Sequence, residues 1–282
     1  MRKTAPGLMN ILVAVLVIAA ATAVAIAAML VVRRKAPDGS YFHDGDRAAG
    51  VFGVLATGFA VLLGFVVFLA FASYDAARSG AEQEALIVAQ QVETAQFFPP
   101  SVQGKLTGEL VCYARSVAGV QWDMMEAGTL GEQLNPWASQ LFVTLRTVDP
   151  KTPAEQSAFD AWLAQTSARE SARNDRIHGA VGVIPTPLWI VLFFTAGLIF
   201  VYMLFFADKG ERAVVQALII GTVVSVITAM MLLLYALDNP FHKGIGGLRP
   251  VAMERALKII DQELTITGNH ASPPCDARGN AS

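Results

Sequence analysis

The chain has 282 residues, of which 54% are hydrophobic and only 16% charged, with a net charge of −2 and a mean hydropathy of +0.48. Soluble domains carry about 25% charged residues, so an ordinary globular surface is excluded, as are disorder, collagen and a small disulfide scaffold. The missing basic surplus argues against a nucleic-acid partner, and the two cysteines, Cys112 and Cys275, fit no metal or redox spacing.

The charges are missing from four stretches that contain no Asp, Glu, Lys or Arg: Leu8–Val32, Gly50–Ala72, Thr186–Phe206 and Ala213–Leu237. A helix rising 1.5 Å per residue crosses the hydrocarbon core in about 20 residues, so each stretch is long enough to span. Met1-Arg2-Lys3 before an alanine-rich run, with Ala23-Val24-Ala25 further on, has the outline of a secretory leader. The apolar run nevertheless continues to Val32 and stops at Arg33-Arg34-Lys35, so an uncleaved first span is expected.

Between the second and third spans, Ser73–Pro185 reads as helical. No proline separates the second span from Tyr74–Phe98, so that helix is expected to leave the membrane and run on to Pro99-Pro100. Val102, Leu106, Leu110, Tyr113, Val117, Val120 and Met124 follow at spacings of three and four, an amphipathic helix ending near Gly128. A shorter helix carries Leu134, Trp137, Leu141 and Leu145 and is broken at Asp149-Pro150. Thr152-Pro153-Ala154-Glu155 has the form of a capping box and opens a helix bearing Phe159, Trp162, Leu163 and Thr166 on one face. Asp238-Asn239-Pro240-Phe241 ends the fourth span. A glycine-rich stretch and then a helix with Met253, Leu257, Ile260 and Leu264 facing inward follow it.

These elements define an all-α membrane protein: four transmembrane helices with an antiparallel helical bundle inserted between spans 2 and 3. The expected segments are a first helix pair over 8–72, the bundle over 73–185 and a second pair over 186–237. An amphipathic region over 238–265 and a small, polar, disordered tail over 266–282 complete the chain. The side shared by the termini and the bundle carries Arg2, Lys3, Arg78, Arg169, Arg173, Arg176, Lys243, Arg249 and Arg255 near the span ends. The other side carries Arg33, Arg34, Lys35, Arg47, Lys209 and Arg212. The positive-inside rule then places both termini and the bundle in the cytoplasm, although the flanks of the first span alone point the other way.

Several phrases together resemble the bestrophin-like integral-membrane family, named for its similarity to anion channels. They are Phe71-Ala72-Ser73-Tyr74 with Glu82-Gln83-Glu84-Ala85, Tyr113-Ala114-Arg115 with Gln121-Trp122, Ile184-Pro185-Thr186-Pro187-Leu188-Trp189, and Leu237-Asp238-Asn239-Pro240-Phe241. The match covers residues 8–265 in the family's order. It implies a cytoplasmic bundle, a bacterial inner (plasma) membrane location and a homo-oligomer around a central pore, since true bestrophins are pentameric anion channels. One departure concerns the neck, which in a true bestrophin is lined by bulky apolar residues four apart on the second span. Here Phe65, Phe68 and Phe71 are three apart and drift around the helix.

Candidate sites carry two readings each. Phe65, Phe68 and Phe71 on the second span, and Gly221, Ser225 and Thr228 on the fourth, line either a pore or a packing face. Arg169, Arg173 and Arg176 form a basic stripe that serves either as an anion vestibule or as an anchor to acidic lipid. Asp238 ends a helix where the dipole disfavours a carboxylate, so a cationic partner is expected among Arg78, Arg176 and Arg249; it either locks the fourth span to the bundle or acts directly at a pore mouth. The spans contain no ionisable residue except tyrosine, which argues against a proton-coupled transporter and leaves a passive pore open. No catalytic motif, metal cluster or cofactor signature is present: His43, His178, His242 and His270 are dispersed, and His43-Asp44-Gly45-Asp46 lacks the rest of a calcium loop. The leading expectation is a passive homo-oligomeric channel for inorganic anions such as chloride. The alternative is a non-conducting oligomeric scaffold or stress sensor acting through the bundle.

Overall fold

Four helices coincide with the uncharged stretches, and each is long and apolar enough to cross a membrane: α1 (Ile11–Lys35), α2 (Gly45–Ala95), α7 (Thr186–Leu204) and α8 (Ala213–Asp238). The structure is a computed structural model that describes residues 7–9, 11–37, 41–129, 135–244, 246–268 and 272–281. Leu134, Arg2, Lys3 and His270 lie outside the described residues. A short parallel pairing joins β1 (Gly7–Met9) to β2 (Lys243–Gly244), which brings the segment before α1 beside the chain leaving α8.

The helix α2 runs unbroken through 51 residues, about 76 Å at 1.5 Å per residue, from Asp44, whose side chain caps Arg47, to the turn before Pro99-Pro100. One half belongs to the membrane layer and the other to the bundle, so the two parts share a rigid axis. The bundle continues with α3 (Pro100–Ser116), a π-turn at Val117–Gln121, α4 (Trp122–Glu126), α5 (Pro136–Leu145) and α6 (Pro153–His178). The capping box at Thr152 and Glu155 is formed. After a short turn at Gly179–Val181 the chain enters α7, and α9 (Val251–Thr267) returns along α2.

Three apolar cores follow. One fills the membrane layer around Leu63, Val66, Leu192, Ile199 and Leu234; one fills the bundle around Leu106, Leu110, Tyr113, Leu141 and Trp162; a smaller one at the junction holds Ala77, Trp122, Met125 and Phe241.

The structure corrects several expectations. The tail is not disordered as a whole: residues 272–281 lie on the bundle, where Trp137 Nε1 donates to the Gly279 carbonyl at 2.7 Å, Arg278 pairs with Asp123, and Cys275 is disulfide-bonded to Cys112. Small residues permit this docking, since Gly108 and Gly119 of the bundle lie directly beneath Ser272 and Arg278, and Gly279 takes a φ of 81°. The helix α9 also runs two residues past position 265. In the α3–α4 segment the π-turn inserts one residue and rotates the inward face, so Gln121, Trp122 and Met125 are buried while Val120 and Met124 are only half-buried. On α6, Leu163 points outward. The inward face is Ala158, Trp162, Arg169, Ala172 and Arg176, two of whose five members are charged.

Candidate functional site

Gly80 on α2 faces the backbone of Ala172 and Arg176 so closely that a Cβ there would lie 2.6 Å from the Ala172 carbonyl oxygen. This close approach of α2 and α6 starts a polar network just outside the membrane layer. Glu84 on α2 and Arg176 on α6 are both fully buried. The guanidinium donates to both carboxylate oxygens, with Nη2 to Oε1 at 3.0 Å, and also to Gln121 Oε1 at 3.3 Å. The Tyr113 hydroxyl donates to Glu84 Oε1, and burial, with the Glu84 charge beside it, pushes this phenol well above its ordinary range. Arg169 lies over the Tyr113 ring at 4.7 Å and donates to Gln91 Oε1 at 2.7 Å, while Gln91 donates to Thr166.

This arrangement overturns the vestibule and lipid-anchor readings for Arg169 and Arg176. Both guanidinium groups are sealed inside the bundle, where Glu84, Gln91 and Gln121 take their hydrogen bonds and neither lipid nor solvent reaches them. Arg173, between them, lies mostly covered beside Glu170 at 3.7 Å.

Asp238 holds the junction from the membrane side, but not through an arginine. Its Oδ1 accepts from the backbone N–H groups of Val183 at 2.7 Å and Ile184 at 2.9 Å, and its Oδ2 accepts from Trp189 Nε1 at 3.4 Å. The expected partners Arg78 and Arg176 pair instead with Glu82 and Glu84. Free N–H groups at the entry to α7 supply the partial positive charge the carboxylate needs. Gly182, with a φ of 74°, gives the turn room against Asp238. Asn239 donates back to the Tyr235 carbonyl. Pro240 accepts from Leu248 N at 2.7 Å, and Phe241 packs edge-on against Trp122 with ring centroids 5.2 Å apart. Glu84, Tyr113, Gln121 and Arg176 thus meet in one buried network, Asp238 and Trp189 in a second, and Trp122 and Phe241 in the small apolar core at the junction. Arg176, which pairs with Glu84, is the residue of the first network that the sequence pattern placed elsewhere.

In the membrane layer, Phe65, Phe68 and Phe71 are 60%, 66% and 53% exposed on the outer side of α2. On α8, Gly221 lies against Thr22 and Ile26 of α1, and the Ser225 and Thr22 hydroxyls are hydrogen-bonded at 2.8 Å. Thr228 borders a small apolar recess with Ala21, Ala25 and Ile199. Beyond the membrane, a groove of about 580 Å³ between α2 and α9 is lined by Arg78, Arg249 and Arg255, with Glu82 the single carboxylate on its wall. Among the described residues, no cluster of His, Cys, Asp or Glu could hold a metal ion.

These features define a predominantly helical integral membrane protein whose spans are tied to an extramembrane bundle by one shared helix and one buried polar junction. The chain belongs to the Bestrophin-like domain family, whose model matches residues 16–246. Its fold is similar to that of a bacterial bestrophin homologue from Klebsiella pneumoniae, with 15% identity and a TM-score of 0.64 over 93% of this chain and 100% of that one. A single-site variant of that homologue aligns at 15% identity with a TM-score of 0.63, covering 92% of this chain and 99% of that one. A further crystal structure, described as a membrane protein, aligns at 14% identity with a TM-score of 0.65 over 88% and 98%. No match to the curated proteins was found.

Proposed function

We propose that this protein is a passive channel for inorganic anions, chloride in particular. In this reading several copies of the chain, five by resemblance, surround a common axis in a bacterial plasma membrane. The observation that carries the reading is the likeness over nearly the whole chain to bacterial bestrophin homologues, in a protein whose four spans hold no ionisable group but tyrosine. The absence of a charged group removes the usual means of coupling transport to protons, while a pore needs only a lining and a field.

The helix α2 is the natural pore wall. Phe65 and Phe68 are exposed on its membrane half, and on its extramembrane half the groove against α9 holds three arginines and one glutamate. With Arg169 and Arg176 sealed in the bundle, Arg78, Arg249 and Arg255 become the cations that concentrate anions near the mouth. Gly221 and Ser225 serve packing between α8 and α1.

The test is chloride efflux from liposomes containing the purified full chain. Efflux that falls in an Arg249→Ala, Arg255→Ala variant, and falls less at high salt, supports the reading. No efflux in any lipid composition or at any pH favours the scaffold, in which the oligomer axis is closed and the bundle is the working part.

A further inference from the structure

Cys112, fully buried on α3, and Cys275, in the tail, are 163 positions apart in sequence and joined in a disulfide with a Cα–Cα distance of 5.8 Å. Their meeting is built by a docked segment rather than by two chance neighbours. Arg115 donates to the carbonyl of Asp276 at 3.4 Å, Trp137 Nε1 donates to that of Gly279, and Asp276 Oδ1 accepts from the N–H groups of Arg278 and Asn280 to close the tail's own turn. Disulfides form and persist outside the reducing cytosol. On the opposite membrane face, the two short connections hold Arg33, Arg34, Lys35, Arg47, Lys209 and Arg212. Arg33 there ties the connections together by donating to the carbonyls of Asp208, Lys209 and Glu211.

We propose that the bundle and both chain ends lie on the extracytoplasmic, oxidising side of the membrane, where Cys112–Cys275 is formed as a clasp holding the tail on the bundle, and that the short basic connections lie in the cytoplasm. This reverses the orientation expected both from the cation tally over all span ends and from the family resemblance. That tally included Arg78, Arg169, Arg173 and Arg176 of the 73–185 segment. The charge bias operates through loops shorter than about 60 residues, and longer domains cross largely regardless of charge. Without those four, the bundle side keeps Arg2, Lys3, Lys243, Arg249 and Arg255 against the six of the short connections. The flanks of α1 then agree with the corrected tally, with three cations after it and two before.

Formation of the clasp requires an extracytoplasmic protein disulfide as oxidant. The thiolate of one cysteine attacks that disulfide to give a mixed disulfide and release one oxidant thiolate. The second cysteine's thiolate then displaces the other oxidant sulfur. Two protons and two electrons leave the cysteine pair, and the oxidant departs as its dithiol. The inference is independent of whether the protein conducts.

The test uses the full chain expressed in intact bacterial cells. First, the native cysteines are trapped by acid quenching and alkylated with a polyethylene-glycol maleimide before and after reduction. No adduct without reductant and two adducts after it are expected. Second, a membrane-impermeant maleimide is applied to cells carrying Asp160→Cys on the exposed side of α6 or Gly210→Cys in the short connection, each in the otherwise native chain. Labelling of Asp160→Cys and not of Gly210→Cys is expected. Labelling of Gly210→Cys, failure to label Asp160→Cys, or alkylation of the native pair without reductant would each overturn the proposal.

Discussion

Glu84 of α2 and Arg176 of α6 form an ion pair with no solvent access, 92 positions apart in sequence, at the level where the membrane helices become the bundle. A charge pair removed from water is retained only where its geometry and its remaining hydrogen bonds are complete, and here Tyr113 and Gln121 complete them. Removing one partner strands the other. Glu84→Ala or Arg176→Ala is predicted to cost about 3–5 kcal/mol, read as a fall in the melting temperature of the detergent-solubilised protein. The double variant Glu84→Gln, Arg176→Met leaves no lone buried charge and is predicted to lose less than either single one.

Asp238 satisfies two backbone N–H groups at once. Asp238→Ala leaves those of Val183 and Ile184 without an acceptor, at about 1–3 kcal/mol for each. Asp238→Asn keeps a carbonyl oxygen in place and is predicted to lose less. Melting curves of the two variants, side by side, check the order.

Two glycines on helices should respond oppositely to alanine. At Gly80 the added methyl meets the Ala172 carbonyl and must push α6 away from α2, at about 1–3 kcal/mol. At Gly104 on α3 nothing lies within 4 Å, and alanine should raise stability by up to about 1 kcal/mol through helix propensity. Equal effects at the two sites would contradict the close approach of α2 and α6.

Glu109 gives a pH dependence. Burial raises its carboxyl above the usual range, against a smaller lowering by the hydrogen bond from Thr144. The folded state therefore holds this proton at pH values where the unfolded chain has released it. Its contribution to stability is present below the ordinary value of 4.5 and is lost as pH rises through the raised folded value. Glu109→Gln is predicted to flatten the pH dependence of the melting temperature above 4.5 and to melt no lower than the native protein at neutral pH.

The parts of the fold legible in sequence are those set by local chemistry: the uncharged spans, the capping box at Thr152 and Glu155, and the proline stops. The long α2 was legible for the same reason, since nothing between Gly45 and Ala95 breaks a helix. What was missed depends on distant partners. Arg169 and Arg176 read as a surface stripe because Glu84, Gln91 and Tyr113, which absorb them, are 56 to 92 positions upstream. Both arginines share a helix face with Ala158, Trp162 and Ala172, and that apolar spacing was the available signal of their burial. Asp238 was expected to need a cation because backbone N–H groups carry no sequence signature. The tail reads as disordered because its order comes from one disulfide, a few glycine contacts, and hydrogen bonds and an ion pair to distant residues rather than from an apolar face. The π-turn left no mark in the spacing of Val117, Val120 and Met124, which continues smoothly past it.

Anion conduction is tested most directly by the reversal potential of the full chain in a planar bilayer with a tenfold potassium chloride gradient. A chloride-selective pore predicts a steady current that reverses close to the chloride equilibrium potential, about 59 mV in magnitude. Reversal on the potassium side, or no current from protein shown to be inserted and assembled, would contradict it.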